Sequence, residues 1–272
     1  MKLFPKIFKK RIGLAPGELV HTGEQKVDEI RISLIDYDED NLGETPLNSI
    51  EEAYPIKDSK TVSWLNVDGL HDVSIMEKVG NHFNIHPLVM ADTLNVHQRP
   101  KFEDFGDYIF ITLKMISFDE AQNSISSEQV SMILGDNYVI TFQERYGDVF
   151  ESVRERIRKL RGRIRKVGAD YLAYALIDAV IDHYYVVLEK ISEKIESLED
   201  EVVDNPKKDT LADIHHLKKN MTLLRRAVWP LREMASNLIR SESKLMKKQT
   251  MPFTRDLYDH TIQVTDSIDT FK

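Results

Sequence analysis

The spacing of apolar residues in the first half of the chain is that of strands mixed with helices. Alternating or β-rich runs bounded by turn residues predict strands. Five runs of this kind are present: 27–37, 62–67, 108–118, 127–134 and 138–143. Between them, Asp72 is placed to cap one helix and the His86-Pro87 pair is placed to open another. The last three strands, of which the final two are joined by a short turn, should form an antiparallel meander. The predicted fold class is therefore α/β, an α/β/α sandwich with a mixed sheet.

From residue 147 onwards the apolar period is helical. Steps of three and four between apolar residues line one face of a helix, and two long stripes have this spacing, 172–202 and 211–238. The Asn205-Pro206 pair separates them, because proline disfavours a helical residue before it and has no amide hydrogen. The two helices should therefore pack antiparallel as a long hairpin, and Pro230 should kink the second one.

A last apolar stripe begins at Phe253 and is still in phase at Lys272, so we expect this helix to continue beyond that residue. Its positions Val264, Ile268 and Phe271 are too apolar to face water, which predicts that the chain self-associates. The patterns predict three parts: an α/β sandwich over 1–146, a basic helix and the long antiparallel hairpin over 147–250, and the start of a stalk helix over 251–272.

Composition narrows the classes of partner. Hydrophobic residues make up 42% and charged residues 30% of the 272, which is the balance of a folded protein. The net charge of −8 argues against a general nucleic-acid binder, because binding to phosphates needs a basic surface. The chain has no cysteine, so a metal can bind only through oxygen or imidazole nitrogen. Hard cations such as Mg²⁺ are therefore favoured.

The sequence shows no apolar segment long enough to cross a membrane without interruption. The basic residues near the N-terminus surround no apolar core of the kind that a secretory signal needs. The most apolar stretch, 172–181, is much shorter than the roughly 18 residues of a membrane span, and Asp178 interrupts it. We expect the chain as it stands to be soluble.

Two runs of charge each have two interpretations. Basic residues concentrate over 154–166, where they either bind an anionic partner, such as lipid headgroups or nucleic acid, or form the solvated face of a helix. Acidic residues concentrate over 189–204, around the predicted hairpin turn, where they either attract cations or keep the hairpin soluble. The sequence favours a solvated surface for the basic run, because the other features of nucleic-acid recognition are missing. It favours the same for the acidic run, because such runs more often keep a long hairpin soluble.

Carboxylates on the helices are candidate metal ligands. Asp178 and Asp182 lie four positions apart in an otherwise apolar helical stretch, and a buried carboxylate needs a cation, a basic side chain or water. Mg²⁺ is usually held by one or two carboxylates together with retained waters. A structural salt bridge and an ordinary polar helix face are the alternative interpretations. The last helix carries further polar candidates: Asp256, Asp259, Gln263, Asp266 and Asp269.

Nine histidines raise the question of catalysis. Three pairs are similar to fragments of metal phosphohydrolase sites: His71-Asp72, Asp182-His183 and His215-His216. Helix capping accounts for the first pair. The chain has no His-Glu-x-x-His helix, glycine-rich phosphate loop or Gly-x-Ser-x-Gly elbow, so we expect no enzymatic activity.

Residues 92–101 read Asp-Thr-Leu-Asn-Val-His-Gln-Arg-Pro-Lys, and this segment resembles the cytoplasmic domain of the CorA magnesium transporter family. Several matches in the right order are far more specific than one short motif, and the resemblance covers residues 60–272. Four further segments resemble the family in the same order: Gly-Asp-Val-Phe at 147–150, Ala-Asp-Tyr-Leu at 169–172, Trp-Pro-Leu-Arg-Glu at 229–233 and Asp-Leu-Tyr-Asp-His-Thr-Ile-Gln at 256–263.

The resemblance implies a five-fold symmetric, funnel-shaped channel in which an α/β/α cytoplasmic domain, a hairpin of long helices and a stalk helix lead into the membrane. In this family Mg²⁺ binds between neighbouring cytoplasmic domains and holds the channel closed. Asp92 and Asp256 match the pair of residues that shares the principal regulatory Mg²⁺, and Asp178 matches a residue of a second site. Some relatives have an acidic residue where this chain has Ala91, which weakens the match at the second site.

The resemblance also implies partners and a location. It predicts a homopentamer on the cytoplasmic side of the cell membrane, with two transmembrane helices and a Gly-Met-Asn pore signature that should follow the stalk. Mg²⁺ is the expected regulatory ion, and Co²⁺ or another divalent ion can substitute, since members of the family move cobalt, nickel or zinc. The competing hypothesis is a helical scaffold or adaptor protein without a transport role, whose stability would not respond to Mg²⁺.

Overall fold

The computed structural model of the protein describes residues 13–121, 123–204 and 210–271. The basic N-terminal residues, the predicted Asn205-Pro206 turn and Lys272 lie outside the described residues. One large apolar core joins the sheet to the helices of all later segments, so no boundary between separate cores marks the three predicted parts. The division of the chain into these parts stays a prediction.

Seven strands in the described residues form one sheet, with the spatial order β2-β1-β3-β7-β6-β5-β4. The central strands β3 and β7 run parallel, and every other neighbouring pair is antiparallel. This mixed sheet confirms the predicted fold class. The strands are β1 (Arg31–Tyr37), β2 (Leu42–Leu47), β3 (Val62–Asp68), β4 (Lys101–Asp104), β5 (Ile109–Asp119), β6 (Ser124–Leu134) and β7 (Tyr138–Gln143).

The two edge strands, β2 and β4, were not predicted. The sequence of β2 reads Leu-Gly-Glu-Thr-Pro-Leu, and four of its six residues are exposed, so it has no buried face to impose a period of two. Pro46 is tolerated there because an edge strand need not donate every backbone hydrogen bond. Strand β4 has only four residues, three of them charged. Edge strands of this kind carry little hydrophobic signal.

Helices α1 (Val73–Phe83) and α2 (Pro87–Leu94) begin where the capping residues predict. Asp72 caps α1 by accepting a 2.9 Å hydrogen bond from the amide of Ser74, and His86 caps α2 by accepting one of 3.2 Å from the amide of Leu88. Pro87 lies in the first turn of α2, where no amide hydrogen is needed. The helices are a 3-10 helix (Ile50–Asp58), α1 (Val73–Phe83), α2 (Pro87–Leu94), α3 (Glu151–Arg158), α4 (Ala169–Asp204), α5 (Thr210–Arg240) and α6 (Met251–Thr270).

The sheet lies between two helical layers. Leu65 and Phe110 point to the face covered by the 3-10 helix, α1 and α2, where they join one buried apolar cluster. Their neighbours Trp64, Ile109 and Ile111 point to the opposite face and join the cluster shared with α3, α4, α5 and α6. This alternation is the two-residue period of a strand buried on both faces. The arrangement is the predicted α/β/α sandwich.

The long helices α4 and α5 run antiparallel, as the stripes predicted. At one end, Thr210 at the start of α5 donates a 2.8 Å hydrogen bond to Glu201 near the end of α4. At the other end, the amide of Lys247, beyond the end of α5, donates to Asp170 at the start of α4. Helix α5 is continuous through Pro230, and the predicted kink there stays a prediction.

Helix α6 packs against both α4 and α5. The expectation that its apolar stripe faces water and drives self-association is therefore wrong. The side chains of Val264 and Ile268 are 0% exposed within the single chain, because the stripe faces the long helices. Only Phe271 of that group is partly exposed. Self-association stays a prediction, but the apolar stripe of α6 is not its cause.

Helix α4 meets the length and hydropathy criteria of a membrane span over Ala169–Val203, with a mean hydropathy of 1.3. Most of it is covered by the protein itself, since 67% of that window is buried. A single buried helix of this kind is typical of the core of a large domain and is weak evidence for a membrane span.

A buried polar cluster lies at the carboxyl ends of the parallel strands β3 and β7. Asp68 ends β3 and accepts a 3.1 Å hydrogen bond from the amide nitrogen of Asn66. Beside it, the guanidinium of Arg154 binds both carboxylate oxygens of Asp148, at 2.7 and 2.5 Å. Burial is the main cause that raises the pKa of Asp68 to about 6, and the charge of Asp148 contributes.

Candidate metal centre

Helices α4 and α6 bring two carboxylates and an imidazole together. Asp178 and Asp182 lie one turn apart on α4, and His260 faces them from α6. One possible ligand atom from each residue lies within 4.8 Å of the others. The predicted pairing of Asp178 with Asp182 on one helix face is therefore completed by a residue from the neighbouring helix.

Two buried polar atoms in this cluster have no hydrogen-bond partner. They are Oδ1 of Asp178 and Nδ1 of His260, which lie 3.9 Å apart, too far for a hydrogen bond between them. The other oxygen of Asp178 accepts a 3.3 Å hydrogen bond from the hydroxyl of Tyr174. Buried polar atoms without partners are costly, and a cation bound between them would satisfy both.

The electrostatics of the cluster also favour a cation. Burial raises the pKa of Asp178 to about 6, and the negative charge of Asp182 acts in the same direction. Burial also raises the pKa of the Tyr174 hydroxyl, next to the same carboxylate. A divalent ion would replace the lost hydration of Asp178 and cancel its repulsion with Asp182.

Asp256 adjoins the cluster on its exposed side. It precedes His260 by one turn of α6, and its Oδ2 lies 3.9 Å from Nε2 of that imidazole. The side chain of Asp256 is 62% exposed, whereas that of Asp178 is 16% exposed. His260 thus stands between a half-buried and an exposed carboxylate, and Asp256 remains accessible to a group from outside the chain.

Asp92 lies apart from this cluster, in the last turn of α2. Its carboxylate accepts hydrogen bonds from Gln98 at 2.5 Å and from the ammonium of Lys101 at 2.7 Å. Among the described residues, Asp92 forms no hydrogen bond or salt bridge with Asp178 or Asp256. The structure of one chain therefore brings Asp178 and Asp256 together and leaves Asp92 separate, and a shared Asp92–Asp256 site between chains stays a prediction.

Ala91, next to Asp92, is 2% exposed and packs inside the domain. An alanine side chain has no metal-binding atom, so Ala91 adds no ligand beside Asp178. The additional donor that the structure provides there is an imidazole nitrogen of His260.

Sequence reasoning missed His260 and Lys101. His260 follows Asp256 by four positions, the spacing of neighbours on one helix face, so the helical pattern of α6 contained a usable signal. Lys101 closes the segment 92–101, but a lysine in a strand gives no indication of which carboxylate it binds.

Half of the basic run 154–166 is neutralised by carboxylates of the same chain. Salt bridges of 2.5 to 3.5 Å involve four of its eight members, and those that are exposed contribute little to stability. The bonded pairs are Arg154 with Asp148 and Glu151, Arg158 with Glu44 and Glu151, Lys159 with Glu155, and Lys166 with Glu39.

Comparisons with known proteins agree with the resemblance of the motifs. A sequence model of a protein family, described as CorA-like Mg²⁺ transporter protein, matches residues 59–272. The cobalt/magnesium transport protein CorA of Thermotoga maritima is 49% identical over 260 residues, which cover 96% of this chain and 74% of that protein.

Solved structures show the same fold. The soluble domain of CorA from Methanocaldococcus jannaschii superposes with a TM-score of 0.70 at 18% identity, covering 88% of this chain and 91% of that one. The complete structure of the CorA magnesium transporter from the same organism gives a TM-score of 0.71 and covers 88% of this chain and 72% of that one.

Proposed function

This chain belongs to the family of CorA-like Mg²⁺ transporter proteins, and from that premise we propose that it is the Mg²⁺-sensing regulatory part of a CorA-type channel. The family consists of ion transporters and not enzymes, in agreement with the absence of catalytic motifs from the sequence. The proposed location is the cytoplasmic side of the cell membrane, and the proposed assembly is a homopentamer.

The observation that carries the proposal is the pair of unsatisfied buried atoms, Oδ1 of Asp178 and Nδ1 of His260. A cation bound there would tie α6 to α4, and the hydroxyl of Tyr185 on α4 already reaches the backbone oxygen of His260 at 3.2 Å. In the proposed channel α6 is the stalk, so occupancy of this cluster would change how firmly the stalk is held. Ion binding would thereby be converted into a mechanical signal.

The principal site is proposed to form between chains. The exposed carboxylate of Asp256 would meet Asp92 of a neighbouring chain, and each would supply an oxygen to one hydrated Mg²⁺. In the single chain, Lys101 already neutralises Asp92. We propose that Lys101 and Mg²⁺ compete for the carboxylate of Asp92. Mg²⁺ would displace Lys101 only when Asp256 of a neighbouring chain supplies a second ligand.

The donor set also bears on which ion binds. Carboxylate oxygen suits Mg²⁺, whereas an imidazole nitrogen raises the affinity for Co²⁺ relative to Mg²⁺. The cluster of Asp178, Asp182 and His260 should therefore bind Co²⁺ more tightly than the oxygen-only pair of Asp92 and Asp256 does. Both ions agree with a regulatory role for divalent cations.

Thermal unfolding with and without MgCl₂ tests the proposal. An ion at ten times its dissociation constant stabilises the protein by about 1.4 kcal/mol per site. The variants Asp256→Ala and Asp178→Asn should each lose most of the response at their own site. Asp266→Ala is the matched control, because this aspartate is exposed on the same helix and outside the cluster.

Two results would contradict the proposal. One is an unchanged melting temperature of the wild-type chain from zero to saturating millimolar Mg²⁺, which is the behaviour expected of a helical scaffold. The other is an equal response in wild type and Asp256→Ala. Light scattering with and without Mg²⁺ measures the assembly, and a monomer under both conditions at high concentration would argue against the ion acting between chains.

A further inference from the structure

A polar cavity lies at the N-terminal end of α4, before the turns of that helix that carry Asp178 and Asp182. Its volume is about 510 Å³, and strand β1, the β6–β7 turn and the segment before α4 form its walls. The cavity does not include any residue of the metal cluster. Its lining and the proposed metal site therefore share no residue.

The backbone at the start of α4 offers free hydrogen-bond donors to this cavity. Gly168 and Ala169 line it, and within the described part of the chain the amides of residues 168–170 donate no hydrogen bond. Helix α4 has 36 residues, so its N-terminus carries the full positive end of a helix dipole. Free amides at a helix N-terminus are suited to oxyanions.

Four basic side chains surround these amides: Lys60, Arg165, Lys166 and Lys247. A Cβ on Gly168 would come within 2.6 Å of the ammonium of Lys247 and within 3.0 Å of Oδ1 of Asp170, so both side chains lie over this glycine. In the described part of the chain, no carboxylate lies within salt-bridge distance of Lys247 or Lys60. A glycine at this position therefore leaves room for the ammonium above the helix end.

An independent observation points to a ligand. Tyr37, the last residue of β1, lines the cavity and is 1% exposed, yet its hydroxyl has no hydrogen-bond partner. A buried hydroxyl without a partner costs free energy, so the fold retains a donor that the protein itself does not use. A ligand oxygen in the cavity would provide the missing partner.

The acidic residues around the cavity offset only part of its positive charge, and of these Asp136 is exposed in its lining. Asp38 is occupied by the amides of Asp40 and Asn41, at 2.8 and 2.7 Å, and Glu39 pairs with Lys166 at 3.3 Å. Oδ2 of Asp170, in the first turn of α4, accepts a hydrogen bond from the amide of Lys247. Its Oδ1 is buried without a hydrogen-bond partner and lies beside the ammonium of Lys247 over Gly168.

We propose that this cavity binds a small soluble phosphorylated molecule, with its phosphate on the amides of Gly168 and Ala169, beneath Lys247 and within reach of Tyr37. The volume exceeds that of a single phosphate and accommodates the attached group as well. A lipid headgroup offers the same chemistry. The cavity lies at the end of α4 where α6 begins, however, so under the proposed function it is about 30 Å, the length of α6, from the end of that helix which faces the membrane.

Calorimetric titration in metal-free buffer tests this assignment, with inorganic phosphate, pyrophosphate and adenosine triphosphate as soluble probes. Lys247→Met should raise the dissociation constant of the best probe about tenfold, because it removes a charge-assisted hydrogen bond. Tyr37→Phe should raise it by about fivefold and should fold normally, since it deletes a hydroxyl that has no partner. Lys248→Met is the control, because this neighbouring lysine is exposed and does not line the cavity.

Saturable binding that is weakened by both cavity variants and not by Lys248→Met supports the proposal. It is overturned by the absence of binding to all three soluble probes, or by equal losses in Lys247→Met and Lys248→Met, which would indicate nonspecific attraction to charge. Binding only to phosphatidylcholine vesicles that contain phosphatidic acid would also overturn it in favour of a lipid site. Asp256→Ala should bind the probes as wild type does, so this test is independent of the metal site.

Discussion

Replacing Asp68 by asparagine should stabilise this protein at neutral pH. Asp68 lies at the carboxyl end of β3, within the buried polar cluster that also holds Asp148 and Arg154. Burial, aided by the charge of Asp148, raises the pKa of Asp68 from 3.8 to about 6. The folded protein therefore disfavours the charged form of this side chain relative to the unfolded chain.

The size and sign of the effect follow from proton linkage. A rise in pKa from 3.8 to about 6 corresponds to about 3 kcal/mol of free energy. Below pH 3.8 the side chain is protonated in both states and costs nothing. As the pH rises to about 6 the unfolded chain ionises first, so the free energy of unfolding falls, and above pH 6 the loss is constant. Partial exposure to water reduces the loss, and we expect about 2 kcal/mol at pH 7.

Urea denaturation followed by circular dichroism between pH 4 and pH 8 measures this difference. The free energy of unfolding of Asp68→Asn should exceed that of wild type at pH 7, and this difference should vanish towards pH 4. Asp58→Asn serves as the control, because Asp58 is exposed at the end of the 3-10 helix and its replacement should change little. Curves for wild type and Asp68→Asn that stay parallel over the whole range, or a less stable variant at pH 7, would refute the reasoning.

Two further variants test the packing of the long helices, both by urea denaturation. Asn220 on α5 is 4% exposed and accepts a 3.2 Å hydrogen bond from the amide of Ile125, so Asn220→Ala should cost about 1–3 kcal/mol by leaving that amide unpaired. A loss below about 0.5 kcal/mol would contradict this role. Leu257 on α6 is 0% exposed, and Leu257→Ala should cost about 2–5 kcal/mol, whereas Arg255→Ala on the exposed face should be nearly neutral. Equal effects of the two would show that α6 is not packed as described.

Much of the fold could be predicted because burial imposes a period on the sequence. The central strands and the long helices have one or two buried faces, and their apolar residues recur accordingly. Strand β2 has no buried face, and its pairing with β1 is a matter of backbone contacts that side-chain patterns do not record. The burial of Val264 and Ile268 against the long helices was not predicted, because an apolar stripe does not indicate which surface it packs against.

The candidate metal site was predictable only in part. Asp178 and Asp182 stood out because carboxylates are rare in an apolar helical stretch. His260 belongs to a helix that lies beside them only after α4 and α6 have packed, so no local pattern could link the three residues. The partnership of Asp92 with Lys101 depends in the same way on how α2 meets β4, which the sequence of either element does not determine.

The single parallel pair in the sheet has a consequence for how the protein is synthesised and folds. Strands β1 to β3 pair with one another within residues 31–68, and β4 to β7 pair within residues 101–143, so each group can form from neighbours in sequence. The ladder between Ser63 and Tyr138 instead closes a loop of about 75 residues, and such closures are slow. Until β7 leaves the ribosome, one edge of the apolar strand β3 has no hydrogen-bonding partner. Nascent chains that stall before this point therefore expose an unpaired strand edge through which they can aggregate.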